Sequence, residues 1–256
     1  MDFVKFMTTT VWGYLIIALV GLIAFVLISA LWYKHCFKRF YDILLSFLAI
    51  SVLSPILLIL IIVGAIKMKG NPFFTQLRPG KNGKIFKLIK FRTMTNEKDE
   101  NGNLLPDDKR LTKYGKFLRS TSLDELPELL NIFIGNMSIV GPRPQLVRDM
   151  VFMTDEQNER HTVKPGLTGL AQCSGRNNMS WEKKFEYDLK YIQKISLFGD
   201  IGIIFKTAFK VFKRDGITEE GEATATDLGD YLLSNGKVTK EEYDKLQSEA
   251  LELMKV

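Results

Sequence analysis

Cysteine and histidine are scarce in this chain: 256 residues contain two of each. Cys36 and Cys173 cannot build a disulfide framework or a four-cysteine zinc site, and both are expected to be reduced. Two histidines make a multi-histidine centre equally poor, so a metal here is expected to take oxygen ligands. No G-x-G-x-x-G or Walker-type glycine loop occurs, which leaves Rossmann and P-loop nucleotide sites without support. Eight prolines and 19 glycines exclude a collagenous or low-complexity chain, and 25% charged residues argue against global disorder. What is abundant is apolar sequence, and it is segregated. The first quarter is strongly apolar, the remainder has the composition of a soluble protein, and the length suits one medium domain with a membrane anchor.

Val11 to Tyr33 runs about 23 residues without a charge, enough to span a bilayer core. Trp12, Tyr14, Trp32 and Tyr33 lie near its ends, where amphipathic rings favour the interface. A cleaved signal peptide is the alternative, but the basic segment before the run is only Lys5 and the run is long for one. Lys34, His35, Lys38 and Arg39 follow directly, so the positive-inside rule places Met1 outside and Lys34 in the cytoplasm. A second apolar run covers Tyr41 to Ile66, with Lys67 and Lys69 beyond it. Both of its flanks are therefore basic. Pro55 lacks an N–H and crowds the Ser51 carbonyl, so a kink or break is expected at Ser54-Pro55, with the Ser51 and Ser54 hydroxyls satisfying freed backbone groups. That pattern fits a re-entrant helical hairpin entering and leaving on the cytoplasmic face; a proline-kinked span is the other reading.

Lys67 to Ser120 carries 14 Lys/Arg against 5 Asp/Glu, whereas Asp215 to Val256 carries 4 Lys against 11. The basic block follows the hairpin, so anionic headgroups and anionic substrates are its expected partners, ahead of nucleic acid. Arg78 to Gly83 is turn chemistry and Ile85 to Thr93 reads as a strand with Phe86, Leu88, Lys90 and Arg92 on one face. Thr95 to Asp108 reads as a loop. A helix is expected over about 126–134 from Leu126, Leu129, Leu130 and Phe133. Asp124 and Glu125 stand at its entry, and Ser122 with Glu125 matches a capping box. If Pro127 opens the helix instead, both acids lie just outside it, where a carboxylate stays ionised as a nucleophile requires. Arg143 in a Gly-Pro-Arg-Pro turn can fork onto a phosphate or a carboxylate, surface solvation being its common fate, and Arg176 lies in a polar loop. Trp181, Phe185, Asp188 and Ile192 share one stripe of a helix over about 181–196. Ile201 to Phe212 is amphipathic and suits either core or membrane surface. Thr239 opens a last helix with Tyr243, Leu246, Ala250 and Leu253 on one seam, read as a short interaction helix.

Four ordered motifs then resemble one family: KFRTM at 90–94, RSTSLDELPELLN at 119–131, SIVGPRP at 138–144 and PGLTGLAQCSGRN at 165–177. They are similar to those of the bacterial sugar transferases, monotopic polyprenyl-phosphate phosphoglycosyl transferases that begin glycan assembly, over about residues 34–213. The expected organisation is α+β and mostly helical, with an N-terminal transmembrane span (1–33) that lies outside the resemblance and a re-entrant membrane helix broken at Ser54-Pro55 (34–69) that the resemblance implies. A cytoplasmic catalytic body with amphipathic surface helices (70–214) and an acidic helical tail (215–256) complete the organisation. The implied reaction transfers a phosphosugar from a UDP-sugar to polyprenyl (undecaprenyl) phosphate, releasing UMP, with Mg²⁺ required. It would be the first membrane step in making an exopolysaccharide, capsule, O-antigen or glycoprotein glycan, at the bacterial inner membrane. Asp124 is implied as nucleophile in a ping-pong mechanism and Glu125 as magnesium ligand. Lys90, Arg92, Arg119, Arg143 and Arg176 are implied in phosphate or nucleotide contacts, and Asp188 in a substrate contact. A homo-oligomer or a downstream glycosyltransferase partner stays open. So do two rivals: a single-displacement transferase, and an inert membrane-tethered adaptor.

Overall fold

The structure, a computed structural model, describes residues 10–175, 179–213 and 226–255. It is α+β and mostly helical, with two small two-stranded sheets. Helix α1 (Val11–Leu31) is apolar on every side and almost wholly exposed, the mark of a segment whose solvent is not water. Thr10 caps it, its hydroxyl accepting from the Gly13 N–H at 3.1 Å. A single π-helical turn (Tyr33–Phe37) joins it to α2 (Lys38–Lys67). Both helices are long and apolar enough to cross a membrane.

The expected break at Ser54-Pro55 is absent: α2 is one helix of 30 residues with Pro55 inside it. The Ser54 hydroxyl donates to the Ser51 carbonyl at 2.7 Å, satisfying the acceptor that the missing proline N–H leaves open. The helix lies against the body along its length. Near its start, Asp42 accepts from the Ile139 N–H and the Ser138 hydroxyl at 2.9 and 3.0 Å. In the middle, Ala49, Ile50 and Leu53 pack on a core of Phe86, Leu88, Leu129, Ile132 and Met137. Towards its end, Leu60 packs on Phe91 and Leu118, and Tyr114 donates to the Leu60 carbonyl at 2.9 Å. The outer face (Phe40, Leu44, Phe47, Leu48, Val52, Ile59, Ile62) is exposed.

Strands β1 (Phe73–Pro79) and β2 (Ile85–Phe91) form an antiparallel hairpin in which Phe74 faces Lys90 and Pro79 faces Ile85. Arg78 and Pro79 thus belong to a strand, and the turn begins at Gly80, with Asn82 left-handed at φ 57°. The segment after β2 is not simple loop: it carries bridges Met94–Leu111 and Lys98–Leu104 and ends in the short α3 (Asp107–Arg110). Helix α4 (Lys113–Ser120) follows, then a 3₁₀ turn at Leu123–Glu125, then α5 (Glu128–Ile134). Strand β3 (Ser138–Val140) pairs in parallel with β4 (Gly166–Thr168), and between them come α6 (Val147–Met150) and α7 (Asp155–Asn158). Helices α8 (Leu170–Ser174), α9 (Trp181–Gln193) and α10 (Leu197–Lys213) close the body. One side of α10 puts Ile203 in the core, while Phe198, Ile201, Phe205 and Phe209 form an exposed stripe. Asp200 of α10 accepts from Tyr33, Lys38 and Tyr191, tying the membrane end to the body.

The acidic tail is docked on the body. In α11 (Leu228–Ser234), Leu228 is buried with Phe152, Met153, Trp181 and Phe185, and its N–H donates to the buried Asp149 at 2.9 Å. Tyr243 and Leu246 of α12 (Lys240–Leu253) cover the same cluster. The last helix therefore spends its seam on this chain's own body.

Candidate active site

The acidic pair lies where α4 turns towards α5. Ser122 adopts φ 54°, ψ 18°, a left-handed conformation uncommon without glycine, and makes no cap. Pro127 is the residue before α5. Of the two readings of Ser122 and Glu125, helix capping is thus excluded: the Glu125 carboxylate turns away to two cations. Its Oε1 accepts from Lys90 Nζ at 2.7 Å and from Arg143 Nη2 at 2.8 Å. Lys90 also reaches Glu128 Oε1 at 3.1 Å.

Three distant segments supply these groups, and part-buried polar bonds fix two of them, the strand of Lys90 and the turn of Arg143. Lys90 is positioned by Asn131, fully buried on α5. Its side chain accepts from the Ile89 N–H at 3.0 Å and donates to the Lys87 carbonyl at 2.8 Å. The turn bearing Arg143 follows β3, and Gly141 there meets β4 too closely for any side chain: an added Cβ would lie 2.5 Å from the Lys164 carbonyl. Two guanidiniums hold its backbone. Arg160 donates to the Arg143 carbonyl at 2.7 Å, and Arg78 to the Pro144 carbonyl at 3.1 Å.

Charge then sorts the acids. Burial alone would raise the Glu125 carboxyl, but Arg143 and Lys90 outweigh it and hold Glu125 well below the usual range, so it is ionised. Burial raises Glu128, against the pull of Lys90. Asp124 is raised too, by burial first and the Glu125 charge second, while Lys90, Arg119 and Arg143 oppose the rise. Asp124 thus sits in the field of three cations, and no protein hydrogen bond among the described residues occupies its carboxylate. That is the condition of an available nucleophile.

The other expected residues divide. Arg119 donates to Thr93 at 3.2 Å and lies within electrostatic reach of Asp124. Arg92 stands just past β2, its N–H on the Pro72 carbonyl, its side chain in no ion pair among the described residues. Asp188 is sealed, 3% exposed, with both Arg160 Nε and Nη2 on its Oδ2 at 3.0 and 2.7 Å. Arg176 lies outside the described residues. Ser54 and Pro55 are in α2, away from the acidic pair in sequence and joined to it only through the core beneath. Sequence reasoning missed Glu128, Asn131, Arg160 and Arg78. Glu128 and Asn131 stand inside the quoted LPELLN run, which was the available signal; the arginines gave none.

Magnesium suits what is here. Both cations on Glu125 take Oε1, and Oε2 carries no hydrogen bond among the described residues. Those residues contain no cage of three or more Asp, Glu, His or Cys. Mg²⁺ commonly needs none, being held by one or two carboxylates together with substrate phosphates and water.

An acidic pair in the field of three cations, on a body laid along an apolar helix, is an arrangement suited to anionic ligands. The pattern of the family described as bacterial sugar transferase matches residues 33–214, and the chain belongs to that family; it is a transferase. It is 48% identical over 188 residues to an uncharacterised sugar transferase, EpsL, of Bacillus subtilis, covering 73% of this chain and 93% of that one. It is 45% identical over 186 residues to the UDP-glucose:undecaprenyl-phosphate glucose-1-phosphate transferase of Klebsiella pneumoniae. There the match covers 69% of this chain and only 40% of the relative. An undecaprenyl-phosphate galactose phosphotransferase of Salmonella typhimurium is 36% identical over 197 residues, with 41% of it covered.

Proposed function

We propose that this protein transfers a phosphosugar from a UDP-sugar to undecaprenyl phosphate through a covalent intermediate on Asp124. The observation that carries the reading is the Asp124–Glu125 turn, with Lys90 and Arg143 on Glu125 and the Asp124 carboxylate left open. Asp124 attacks the phosphorus that bears the sugar. A carboxylate oxygen–phosphorus bond forms, the bond to UMP breaks, and UMP leaves with the electron pair. A phosphate oxygen of undecaprenyl phosphate then attacks the same phosphorus and returns the carboxylate, giving the diphosphate-linked sugar. Splitting the transfer keeps the two polyanionic substrates from meeting in one displacement. Lys90, Arg119 and Arg143 offset the repulsion between an anionic nucleophile and a diphosphate. Magnesium held by Glu125 would supply charge neutralisation of the diphosphate and of departing UMP. The names of the Klebsiella and Salmonella relatives support the substrates.

Intact-protein mass spectrometry after incubation with UDP-sugar and Mg²⁺, without lipid, is the test. An adduct of phosphosugar mass is expected in the wild type and absent in Asp124→Asn, whose turnover should fall by at least about a thousand-fold. Full turnover in Asp124→Asn would end the covalent reading. Turnover with UMP release but no adduct would favour single displacement, and no UMP release from any UDP-sugar would favour the adaptor.

The membrane arrangement proposed is re-entrant, with both ends of α2 and the body on the cytoplasmic side of the inner membrane. Asp42 and Leu60 are 18 residues apart, about 27 Å along a straight helix and close to the thickness of a bilayer core. Both touch the same polar body. A perpendicular span would drag that body through lipid, whereas a shallow course leaves only the outer face of α2 and the Phe198–Phe209 stripe in contact with it. Thiol labelling of cysteines placed at Lys38 and Lys69 should report both on the cytoplasmic side. Labelling from opposite sides would exclude the re-entrant course.

A further inference from the structure

Lys90 has two carboxylates within ion-pair distance, Glu125 at 2.7 Å and Glu128 at 3.1 Å. Glu128 begins α5, is 2% exposed, and has Lys90 as its ion-pair partner among the described residues. Glu125 Oε1 meanwhile carries both Lys90 and Arg143. A divalent cation arriving on Glu125 would face two positive charges already seated there, and like charges at such spacing repel strongly. The two cations differ in their freedom to retreat. The Arg143 side chain is 44% exposed and can swing towards solvent, or onto an incoming phosphate. The Lys90 side chain is 17% exposed, and Asn131 pins the strand just ahead of it, at Lys87 and Ile89. Its nearest alternative seat is Glu128.

We infer that Glu128 is a positioning residue that receives Lys90 when metal and diphosphate load onto Glu125, and thereby sets the affinity of the site for the divalent cation. The inference rests on Glu125 as the metal ligand. Lys90 passes from a shared position to a full ion pair with Glu128. It stays close enough to screen the diphosphate but no longer competes for Glu125. Without the second seat, Lys90 stays on Glu125 and opposes the metal.

The test is the thermal midpoint of the full-length protein in detergent, titrated with Mg²⁺ in the presence of UDP, a readout that needs no turnover. Glu128→Gln should raise the half-saturating Mg²⁺ concentration roughly five-fold, the size of coupling expected between neighbouring charges. Glu128→Asp, which keeps the charge but shortens the reach, should shift it in the same direction. In a Lys90→Gln background, Glu128→Gln should add no further shift, since the group to be seated is gone. Transfer activity lost in Glu128→Gln should return substantially when Mg²⁺ is raised, which a merely misfolded site would not show. An unchanged Mg²⁺ midpoint in Glu128→Gln, or the same shift with and without Lys90, would overturn the inference while leaving Glu125 as ligand. A wild type whose midpoint and activity ignore Mg²⁺ would instead remove the metal reading, and the inference with it.

Discussion

Two carboxylate–guanidinium pairs in this molecule use the same chemistry for different ends. Glu125 and Arg143 meet in the open, with side chains 20% and 44% exposed. Asp188 and Arg160 meet in the interior, at 4% and 1%. In the sealed pair, two nitrogens of Arg160 close on one carboxylate oxygen, and a third bond runs to the Arg143 carbonyl. Among the described residues, the open pair leaves Glu125 Oε2 and the neighbouring Asp124 carboxylate without a hydrogen bond. Burial makes an ion pair costly to form and more costly to break, so it serves as a fixed strut. Exposure makes a pair weak and exchangeable, which is what a substrate needs. The Arg143 backbone is where the strut and the working site join.

The comparison is broken most severely from the inside. Arg160→Met leaves Asp188 charged and buried with no partner, and removes the donor to the Arg143 carbonyl. The expected loss is about 3–5 kcal/mol of stability, with transfer activity falling alongside. Arg160→Met combined with Asp188→Leu removes both charges, so most of the thermal midpoint should return. Activity should not return, because the turn carrying Arg143 has still lost its anchor. Recovery of activity together with stability in the double variant would show that the strut has no say in the site.

The sequence showed the membrane half because apolar runs and flanking lysines report on local solvent, and these need no partner. Asp124 and Glu125 were visible as residues, but their state was not. Ser122 and Glu125 satisfied a capping pattern equally well, and only the left-handed Ser122 with the turn of Glu125 to Lys90 and Arg143 decided between them. The substrate contact expected of Asp188 came from the family resemblance, whereas an acid on an aromatic stripe is more commonly a salt-bridge partner; that partner, Arg160, lies 28 residues away. Asn131 and Arg78 act on backbone atoms 44 and 66 positions distant. Long-range polar bonds of this kind leave no periodicity. The docking of the tail was hidden for a related reason: its acidic balance describes its outer surface, whereas Leu228, Tyr243 and Leu246 settle on a cluster far away in sequence, with Leu228 meeting Asp149 from 79 positions away. At Pro55 the chain stays helical, and the Ser54 hydroxyl takes the freed Ser51 carbonyl as expected of it.

The open pair gives the subtlest prediction, because charge and geometry can be separated there. Arg143→Lys keeps the positive charge but loses the planar fork, so kcat/KM should fall about ten- to a hundred-fold. The thermal midpoint should scarcely move, since an exposed pair contributes on the order of 1 kcal/mol or less. Arg143→Ala removes the charge as well, and the pH profile then distinguishes the two. Asp124 must be ionised to attack, so activity is present above its pKa and lost as pH falls through it. Burial and Glu125 raise that pKa, and Arg143 is one of three cations holding it down. The acid limb of kcat/KM should therefore lie above that of a free aspartate in the wild type, stay nearly in place in Arg143→Lys, and move to higher pH in Arg143→Ala. A limb that stays put or moves to lower pH in Arg143→Ala would mean that Arg143 acts on substrate geometry alone and not on the charge state of Asp124.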